Sequence, residues 1–284
     1  MRVGVLGAGA WGRALAKTAE RAGHEVRLWG RADGPERFDD AASAEVVVLA
    51  VPAQVMAETA ARLDPEKVRG ALTVAAKGLE RGTGRLMSEV LGPGFAAGVL
   101  SGPNFAAEVA AGLPTAAVLA GAPQTAFATR SFRVYESRDA VGVQLCGALK
   151  NVIAIAAGIT EGRRLGENAR AALVTRGLAE IRRLVIAEGG EAETVAGLAG
   201  LGDLMLTATS PTSRNYAYGV ALGRDEPPPA VLAEGAATAE PALLRAARAG
   251  VELPIAAAVA DIVAGRADID SAMKRLLARP AGRE

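Results

Sequence analysis

The sequence predicts an α/β domain with a doubly wound, mostly parallel sheet at residues 1–138, followed by an all-α domain at residues 139–284. In the first half, short runs rich in β-branched residues alternate with alanine-rich helical stretches, as expected for strands joined by crossover helices. Strand-like runs end near Asp139, and helical periodicity dominates from there onward. A chain of 284 residues is long enough to bury a separate core in each of two domains.

Seven runs in the first half have the composition of buried strands. Five of them predict parallel strands of one sheet, at 2–6, 25–29, 46–51, 71–76 and 97–100. Two later runs, 115–120 and 132–136, are expected to extend this sheet through right-handed crossovers. In the second half, helices are predicted at 170–188, 240–249, 255–264 and 271–277, and the apolar stretch 139–158 predicts one more.

The composition is that of a globular protein without a strong overall charge. Half of the residues are apolar, 22% are charged and the formal net charge is +1, so nothing draws the whole chain toward nucleic acid or an anionic membrane. The uncharged stretch 109–129 is long enough to cross a bilayer, but it is broken into short pieces by Gly112, Pro114, Gly121 and Pro123. We therefore expect no membrane span.

Cysteine usage limits the chemistry further. Cys146 is the only cysteine in the chain. A single cysteine excludes an intramolecular disulfide and a cysteine-based zinc site, and it fits a reducing compartment. The sequence therefore predicts a cytoplasmic protein, and we expect no metal at its functional site.

A glycine-rich motif follows the first predicted strand. Leu6 ends that strand, GAGAWG occupies 7–12, and a helical run begins directly after it. In this setting the glycines allow a tight turn and a close approach of the backbone to a pyrophosphate at the helix N-terminus. Dinucleotide binding is therefore predicted at Gly7, Gly9, Ala10, Trp11 and Gly12. The alternative, a glycine-rich turn without a ligand, is disfavoured because the whole strand–turn–helix context agrees.

The end of the second predicted strand bears on the choice of cofactor. A site selective for NAD usually has an acidic residue here to bind the ribose hydroxyls, whereas the sequence reads LWGR at 28–31. Arg31 can meet a 2′-phosphate, which favours NADP, while Asp33 nearby keeps NAD open. Without a ligand, Arg31 is an ordinary solvated arginine.

One lysine lies in the middle of the apolar helix predicted after residue 139. The chain has 32 lysines and arginines, of which only five are lysines, and a lysine pKa can be lowered by burial until the amine exchanges protons near neutral pH. Lys150 is flanked on its own helix face by Gly147, Ala154 and Ala157. These small residues leave room for another backbone or a ligand. The alternative is a lysine paired with a buried carboxylate for structural reasons.

Two further polar side chains follow predicted strands. Lys77 comes after the fourth strand in AAKG, and Asn104 comes after the fifth strand in SGPNF. Open α/β proteins bind their ligands at the carboxyl ends of parallel strands, so both side chains are expected at one crevice. Asn104 is also placed to cap the helix that continues through Ala111, and that role needs no ligand.

Two short segments with polar residues interrupt the apolar second half. Asp203 stands in GLAGLGDL, and a buried carboxylate requires a partner; it either holds the Lys150 amine or caps the helix that follows it. The loop SPTSRN places Arg214 between Ser213 and Asn215. A guanidinium binds phosphate oxygens in a bidentate manner, so this loop suits a phosphate ester. Without a ligand it is a polar turn.

Together these motifs resemble one family, the bacterial NAD(P)-dependent glycerol-3-phosphate dehydrogenases. The resemblance is carried, in family order over nearly the whole chain, by GAGAWG, AAKGLE, SGPNFA, GALKNV, ENARAALVTRGLAE, GLAGLGDL, TSRN and AEG. It implies a Rossmann domain followed by an all-helical domain, and the reversible conversion of dihydroxyacetone phosphate into sn-glycerol 3-phosphate for phospholipid synthesis. It also implies a homodimer.

The resemblance implies roles for individual residues as well. Lys150 matches the proton-transferring lysine of the family. Substrate contacts are implied at Lys77, Gly102, Asp203, Ser213, Arg214 and Asn215, and cofactor contacts at Trp11, Arg31, Lys77, Ala106, Arg214, Leu232 and Glu234. Asn104, a further predicted substrate contact, stands where family members commonly have Ser or Thr. The segment 31–45 is shorter than the family's usual connection between the second and third strands.

The expected reaction is hydride transfer between nicotinamide C4 and substrate C2, with the Lys150 ammonium giving its proton to the forming alkoxide. The sequence leaves two alternatives open. A β-hydroxyacid dehydrogenase also pairs a Rossmann domain with a lysine-bearing helical domain, but Arg214 and Lys77 favour a phosphorylated substrate. A nucleotide sensor would bind NAD(P) without catalysis and would not require a lysine among small residues.

Overall fold

The computed structural model describes residues 1–66, 68, 70–122 and 126–280, so Pro123, one of the predicted breaks in the stretch 109–129, lies outside it. Within the described residues one sheet contains seven strands, β1 (Arg2–Leu6), β2 (Glu25–Trp29), β3 (Val46–Leu49), β4 (Ala71–Val74), β5 (Ala97–Ser101), β6 (Thr115–Ala120) and β7 (Phe132–Ser137). All seven were predicted, with ends that differ by two residues or fewer. Their order is β2-β1-β3-β4-β5-β6-β7.

The doubly wound, mostly parallel sheet is confirmed, but the expected right-handed crossover from β5 to β6 is wrong. β6 pairs antiparallel with β5, with Leu100 opposite Leu119, and β7 runs parallel to β6. The connection contains only the short helix α5 (Ala106–Ala111), of 6 residues. At about 1.5 Å per residue this helix rises about 9 Å, less than the roughly 16 Å of a five-residue strand, so it does not carry the chain back to the start of β5.

Helices cover both faces of the sheet. Besides α5, the first half contains α1 (Ala10–Arg21), α2 (Pro35–Ala42), α3 (Met56–Ala60) and α4 (Met87–Leu91), with a 3₁₀ turn at Ala53–Val55. One core forms under α1 and α5, and a second forms under α2, α3 and α4. The strand order reverses at β1, because β2 and β3 flank it on opposite sides. The crevice at the carboxyl ends of β1 and β3 is therefore the topological switch point, where such sheets bind ligands.

The described residues of the second half form helices joined by loops, with no strand among them. Its elements are α6 (Ala140–Gly162), α7 (Glu167–Ala187), α8 (Ala192–Ala196), a π-turn (Leu198–Gly202), α9 (Asp203–Thr209), α10 (Arg214–Gly223), α11 (Glu234–Arg248), α12 (Pro254–Val263) and α13 (Ile269–Leu277). The last strand ends at Ser137, and Asp139 caps α6 by accepting a hydrogen bond from the Gly142 amide at 2.7 Å. The division of the chain at 138/139 into two domains stays a prediction.

Helix α6 is the centre of the helical half. Every residue from Gly142 to Thr160 is buried, and helices α7, α9, α10, α11 and α12 pack around it. In the described part of the chain α6 alone is long and apolar enough to cross a membrane, and 89% of its most apolar window is buried inside the protein. The stretch 109–129, for which no membrane span was expected, contains part of α5 and all of β6.

Helices α6 and α10 approach closely because glycines face each other at their crossing. A Cβ on Gly158 would lie 2.1 Å from the Tyr216 carbonyl oxygen, and a Cβ on Gly219 would lie 2.0 Å from the Ile155 carbonyl oxygen. Both distances are far below van der Waals contact, so neither position accepts a side chain without separating the helices. This contact fixes α10, whose N-terminus carries the predicted phosphate loop.

We expect Gly158→Ala to lower the free energy of unfolding by about 1–3 kcal/mol, because the added methyl group must push α10 away from α6. Urea or thermal unfolding measures the change. Gly34→Ala is the matched control, since nothing lies within 4 Å of a Cβ at Gly34, and its effect is expected to stay within about 0.5 kcal/mol. Equal stabilities of the two variants would contradict the proposed close packing.

Candidate active site

Backbone atoms pack closely against two glycines of the turn between β1 and α1, whereas the space beside a third glycine is empty. Gly7 has φ +123°, and a Cβ there would lie 2.6 Å from the Ala50 carbonyl carbon, while a Cβ on Gly12 would lie 1.8 Å from the Gly7 carbonyl oxygen. In contrast, nothing lies within 4 Å of a Cβ built on Gly9. The glycines thus leave a space at the N-terminus of α1 that side chains would otherwise fill. This space fits the pyrophosphate of a dinucleotide.

Trp11 connects this turn to the segment after β4 that carries Lys77. Its indole Nε1 donates a hydrogen bond to the Ala75 carbonyl oxygen at 3.2 Å. Ala10 is the first residue of α1, with Gly9 as its cap, and Arg31 is exposed in the turn after β2. The predicted cofactor residues of the glycine turn therefore lie at the switch point of the sheet, and Arg31 follows the neighbouring strand β2.

Asp203 joins two lysines that are distant in sequence. Lys77 Nζ donates to Asp203 Oδ2 at 2.6 Å, and Lys150 Nζ donates to Asp203 Oδ1 at 3.0 Å. Lys77 Nζ also donates to the Gly102 carbonyl oxygen at 2.9 Å. The predicted pairing of Asp203 with Lys150 is confirmed. Four predicted site residues from β4, β5, α6 and α9 thus share one hydrogen-bonded cluster.

Burial governs the charge state of this cluster. Lys150 and Asp203 are 7% and 1% exposed. Burial lowers the pKa of Lys150 from its ordinary 10.5 to about 8; the Asp203 carboxylate opposes this shift, and the positive charges of Lys77 and Arg214 add to it. Burial alone would raise the pKa of Asp203, but the two ammonium groups hold it below its ordinary value. One carboxylate between two ammonium groups leaves a net charge of +1.

Thr207 is a member of the cluster that the sequence did not predict. Its hydroxyl accepts a hydrogen bond from Lys150 Nζ at 2.8 Å and donates to Asp203 Oδ1 at 3.3 Å. Thr207 and Asp203 are four residues apart on α9, so they lie on the same helix face. That spacing was a usable signal, but only once Asp203 was known to start a helix. The alternative role of Asp203, as the cap before α9, does not apply because α9 begins with Asp203 itself.

The π-turn before α9 places Asp203. The segment Leu198–Gly202 is wound as a π-helix, and a Cβ on Gly200 would lie 2.1 Å from the Val195 carbonyl oxygen. Such turns occur often at functional sites. The glycines of GLAGLGDL therefore allow the backbone to pack tightly in this turn. The turn directs the Asp203 carboxylate into the core.

Asn104 adopts a role different from the predicted helix cap. Helix α5 begins at Ala106 after Phe105, without a side-chain cap. The Asn104 amide nitrogen instead donates to Thr115 Oγ1 at 2.9 Å and to the Ala116 carbonyl oxygen at 3.0 Å. The capping prediction is wrong because the antiparallel β6 brings its own acceptors next to this side chain. The Asn104 Oδ1 atom is buried without a hydrogen-bond partner in the described residues.

The predicted phosphate loop forms the start of α10. Ser213 caps this helix by accepting a hydrogen bond from the Tyr216 amide at 3.3 Å, and Arg214 is exposed at its first position. Asn215 is buried: its amide nitrogen donates to Asn151 Oδ1 at 2.9 Å, and its Oδ1 accepts from the Gly235 amide at 2.9 Å. Ser213 and Asn215 thus fix α10 and leave Arg214 at the surface. The contribution of Asn151 was not predicted.

The start of α11 lies against the first half of the chain. Burial raises the pKa of Glu234, whereas a hydrogen bond from the Ala53 amide and the charge of Arg214 oppose the rise. Glu234 Oε2 is buried without a partner among the described residues and lies 3.5 Å from a Cβ built on Gly78. Leu232 is 45% exposed, and Ala106 begins α5. Arg214 therefore influences both Lys150 and Glu234, although its own side chain is exposed.

The described residues contain no group of three or more His, Cys, Asp or Glu side chains that could hold a metal ion. Cys146, one helical turn before Lys150, is buried, and burial raises the pKa of its thiol to about 12. This thiol is therefore an unreactive core side chain. The titratable groups of the cluster itself are the two lysines and Asp203.

Protein-family models match both halves of the chain. The NAD-dependent glycerol-3-phosphate dehydrogenase N-terminus matches residues 2–40 and 35–127, and the C-terminus of the same family matches residues 139–274. The first match is split at 35–40, within α2. The expected shortness of the connection between the second and third strands stays a prediction.

Individual relatives agree with this result. The glycerol-3-phosphate dehydrogenase (NAD(P)+) of Azorhizobium caulinodans is 45% identical over 318 residues, which covers 98% of this chain and 97% of the relative. A Bradyrhizobium enzyme of the same name is 46% identical over 318 residues, with the same coverage of both chains.

Solved structures lead to the same family. The crystal structure of glycerol-3-phosphate dehydrogenase from Coxiella burnetii is 34% identical, with a TM-score of 0.88 and coverage of 98% of this chain and 99% of that one. A ketopantoate reductase from Ralstonia eutropha has a TM-score of 0.62 at 16% identity, so the likeness is one of fold alone. The family match over both halves decides against a β-hydroxyacid dehydrogenase and a non-catalytic sensor. The chain belongs to the NAD-dependent glycerol-3-phosphate dehydrogenase family and is an oxidoreductase that uses NAD or NADP.

Proposed function

We propose that this enzyme interconverts dihydroxyacetone phosphate and sn-glycerol 3-phosphate, with Lys150 as the group that exchanges the proton. The observation that carries the proposal is a buried amine with a pKa of about 8, held by Asp203 and Thr207. A group with this pKa is present in both protonation states near neutral pH, as reversible acid–base catalysis requires. Its charged neighbours suit an anionic substrate.

The nicotinamide, when bound, supplies hydride to the substrate carbonyl carbon or removes it from the alcohol. Lys150 performs the matching proton transfer: its ammonium donates to the carbonyl oxygen as the alcohol forms, and its neutral amine takes the proton back in the reverse reaction. Asp203 and Thr207 hold the amine in one position. Lys77 keeps Asp203 ionised, so the carboxylate does not compete for the transferred proton.

Several further residues are proposed to bind the ligands. Arg214 and Lys77 bind the phosphate group, because both cations border the cluster and Arg214 is exposed at a helix N-terminus, which also favours an anion. Gly102, Asn104 and Asp203 contact the substrate, and two of them, Gly102 and Asp203, accept hydrogen bonds from Lys77. Ser213 and Asn215 hold the loop in place. The proposed cofactor contacts are Gly7, Gly9, Ala10, Trp11, Gly12, Arg31, Lys77, Ala106, Arg214, Leu232 and Glu234.

The wider role is proposed on the family resemblance. The enzyme supplies sn-glycerol 3-phosphate for phospholipid synthesis, in the cytoplasm, with NADP favoured over NAD. The proposed homodimer is tested by the mass of the purified protein in solution. The activity is tested directly by the loss of NADPH absorbance when dihydroxyacetone phosphate is added, and the absence of any loss with NADPH and with NADH would refute it.

We expect Lys150→Ala and Lys150→Met to reduce turnover by about 10²–10⁴-fold, the usual contribution of a positioned general acid. Cofactor affinity is expected to persist, because the glycine turn at 7–12 is untouched. Steady-state kinetics and fluorescence titration with NADPH measure the two effects. Lys274→Met removes an exposed lysine on α13 and is expected to change neither. Near wild-type turnover in both Lys150 variants would end the assignment of this residue.

The two directions of the reaction are expected to respond oppositely to pH. Reduction uses the ammonium form of Lys150, so its rate should be level below about pH 8 and fall above it, whereas oxidation uses the neutral amine and should rise through the same range. The groups that set this midpoint are Asp203, Lys77 and Arg214. Initial rates in both directions from about pH 6 to about pH 10 test this, and parallel profiles would be inconsistent with a single proton-exchanging amine.

Arg214→Ala is expected to raise KM for dihydroxyacetone phosphate about tenfold, since one exposed charge-assisted contact to the phosphate is lost. The pH at which reduction slows should also move upward, because the Arg214 charge helps to lower the Lys150 pKa. Arg224→Ala, at the other end of α10, is the matched control. An unchanged KM in Arg214→Ala would remove this residue from phosphate recognition.

A further inference from the structure

A charged groove lies along β2, at the edge of the sheet. It has a volume of about 550 Å³, starts at Ala8 in the glycine turn and is lined further by Arg13, 26–28, Asp33, Arg37 and Asp40. In a Rossmann sheet the adenosine ribose lies between the glycine turn and the end of the second strand, where an acidic residue binds its hydroxyls or an arginine binds a 2′-phosphate. Two of the residues that line the groove belong to these segments, Ala8 to the glycine turn and Asp33 to the turn after the second strand.

The only carboxylate in the turn directly after β2 is already engaged. Asp33 Oδ2 accepts a hydrogen bond from the Gly30 amide at 2.8 Å, and Asp33 Oδ1 accepts one from Arg37 Nη1 at 3.0 Å. The Gly30 hydrogen bond is the main reason for a lowered pKa of Asp33, and the charges of Arg37 and Arg13 contribute. Asp33 therefore closes its own turn and orients Arg37, which disfavours its use as the ligand of a ribose diol.

Two arginines flank this carboxylate from different helices. Arg13 lies in the first turns of α1, and its Nε donates to the Ala8 carbonyl oxygen at 2.8 Å. Arg37 lies on α2, four residues after Asp33, and its side chain is 70% exposed. The guanidinium of each has terminal nitrogens that suit phosphate oxygens. Together with the exposed Arg31, they place three arginines around Asp33, while Asp40, the other carboxylate that lines the groove, pairs with Arg27 at 3.0 Å.

The short connection after β2 explains why Arg37 lies here. β2 ends at Trp29 and α2 begins at Pro35, so the five residues 30–34 connect them. Because little chain intervenes, the first turn of α2 comes directly to the end of β2, and its arginine lies beside the glycine turn.

We propose that Arg13 and Arg37, together with Arg31, form the binding site for the 2′-phosphate of NADP and make the enzyme selective for NADPH over NADH. This inference rests on the proposed function, in which NADP is favoured and Arg31 alone was assigned to the phosphate. It adds two residues from α1 and α2 and gives Asp33 the role of positioning Arg37. The recognised group is a phosphomonoester on the adenosine ribose.

Binding of cofactor fragments tests the site without turnover. Adenosine 2′,5′-bisphosphate and 5′-AMP differ only in the 2′-phosphate, and calorimetry of the wild type is expected to show at least about tenfold tighter binding of the bisphosphate. Arg13→Gln and Arg37→Gln should each weaken bisphosphate binding about fivefold to tenfold and leave 5′-AMP unchanged. Arg176→Gln, an exposed arginine on α7, is the matched control and should change neither ligand.

A substitution at Asp33 distinguishes a site that binds the 2′-phosphate of NADP from one in which Asp33 binds the ribose hydroxyls of NAD. Asp33→Asn keeps an acceptor for the Gly30 amide but loses the second carboxylate oxygen, which holds Arg37, so it should weaken bisphosphate binding about twofold to fivefold. It should leave 5′-AMP and NADH binding unchanged. Weaker binding of 5′-AMP and NADH by this variant would mean that Asp33 holds the ribose diol, and that result would overturn the proposal.

The remaining outcomes are equally decisive. Equal losses of bisphosphate and 5′-AMP affinity in the Arg13 and Arg37 variants, or no loss for the bisphosphate, would overturn the proposal. So would inorganic phosphate that displaces the bisphosphate at equal concentration, because the groove would then bind any anion without the adenosine. A wild-type protein that binds the bisphosphate selectively but does not oxidise NADPH with dihydroxyacetone phosphate would refute the proposed function alone.

Discussion

The structure depends on one carboxylate that two lysines share. Asp203, at the start of α9, binds Lys77 from the end of β4 and Lys150 from the middle of α6. These contacts connect the sheet to the helical half and define where a substrate can meet both. Removal of Asp203 would leave both ammonium groups without their counter-charge, and such a loss from a buried ion pair typically costs about 3–5 kcal/mol. The cluster is thus a structural joint between the two halves of the chain as well as the proposed catalytic centre.

The same cluster explains how a lysine becomes a useful acid at neutral pH. Burial disfavours the ammonium form, and the charges of Lys77 and Arg214 act in the same direction, while Asp203 limits the shift to a pKa of about 8. An amine without Asp203 would be deprotonated more readily, and one without burial would remain charged. The balance requires α6 to be covered on all sides, which the glycine contact with α10 helps to provide. Packing far from the cluster therefore bears on its chemistry.

Much of the site was predictable from local patterns, and the failures have identifiable causes. Lys77, Lys150 and Asp203 each broke a local rule, as polar groups in apolar or glycine-rich segments, and this marked them without knowledge of the fold. Asn104 obeyed a local rule, the helix cap, and the prediction was wrong because β6 returned antiparallel and supplied other acceptors. Thr207 broke no rule, since a threonine on a helix is unremarkable until its hydroxyl meets a lysine from another helix.

The sequence by itself determined the seven strands, most of the helices, the position of the glycine turn and the choice of lysine over arginine at two places, but it did not predict α8 or α10. These features depend on residue type and on short-range spacing, which the chain carries wherever it folds. Only the tertiary structure decided that one carboxylate serves two lysines, that Asn215 links three helices and that Arg37 lies at the glycine turn. Such arrangements depend on which segments meet in space, because the free energy of a buried charge is set by neighbours that lie far away in the sequence.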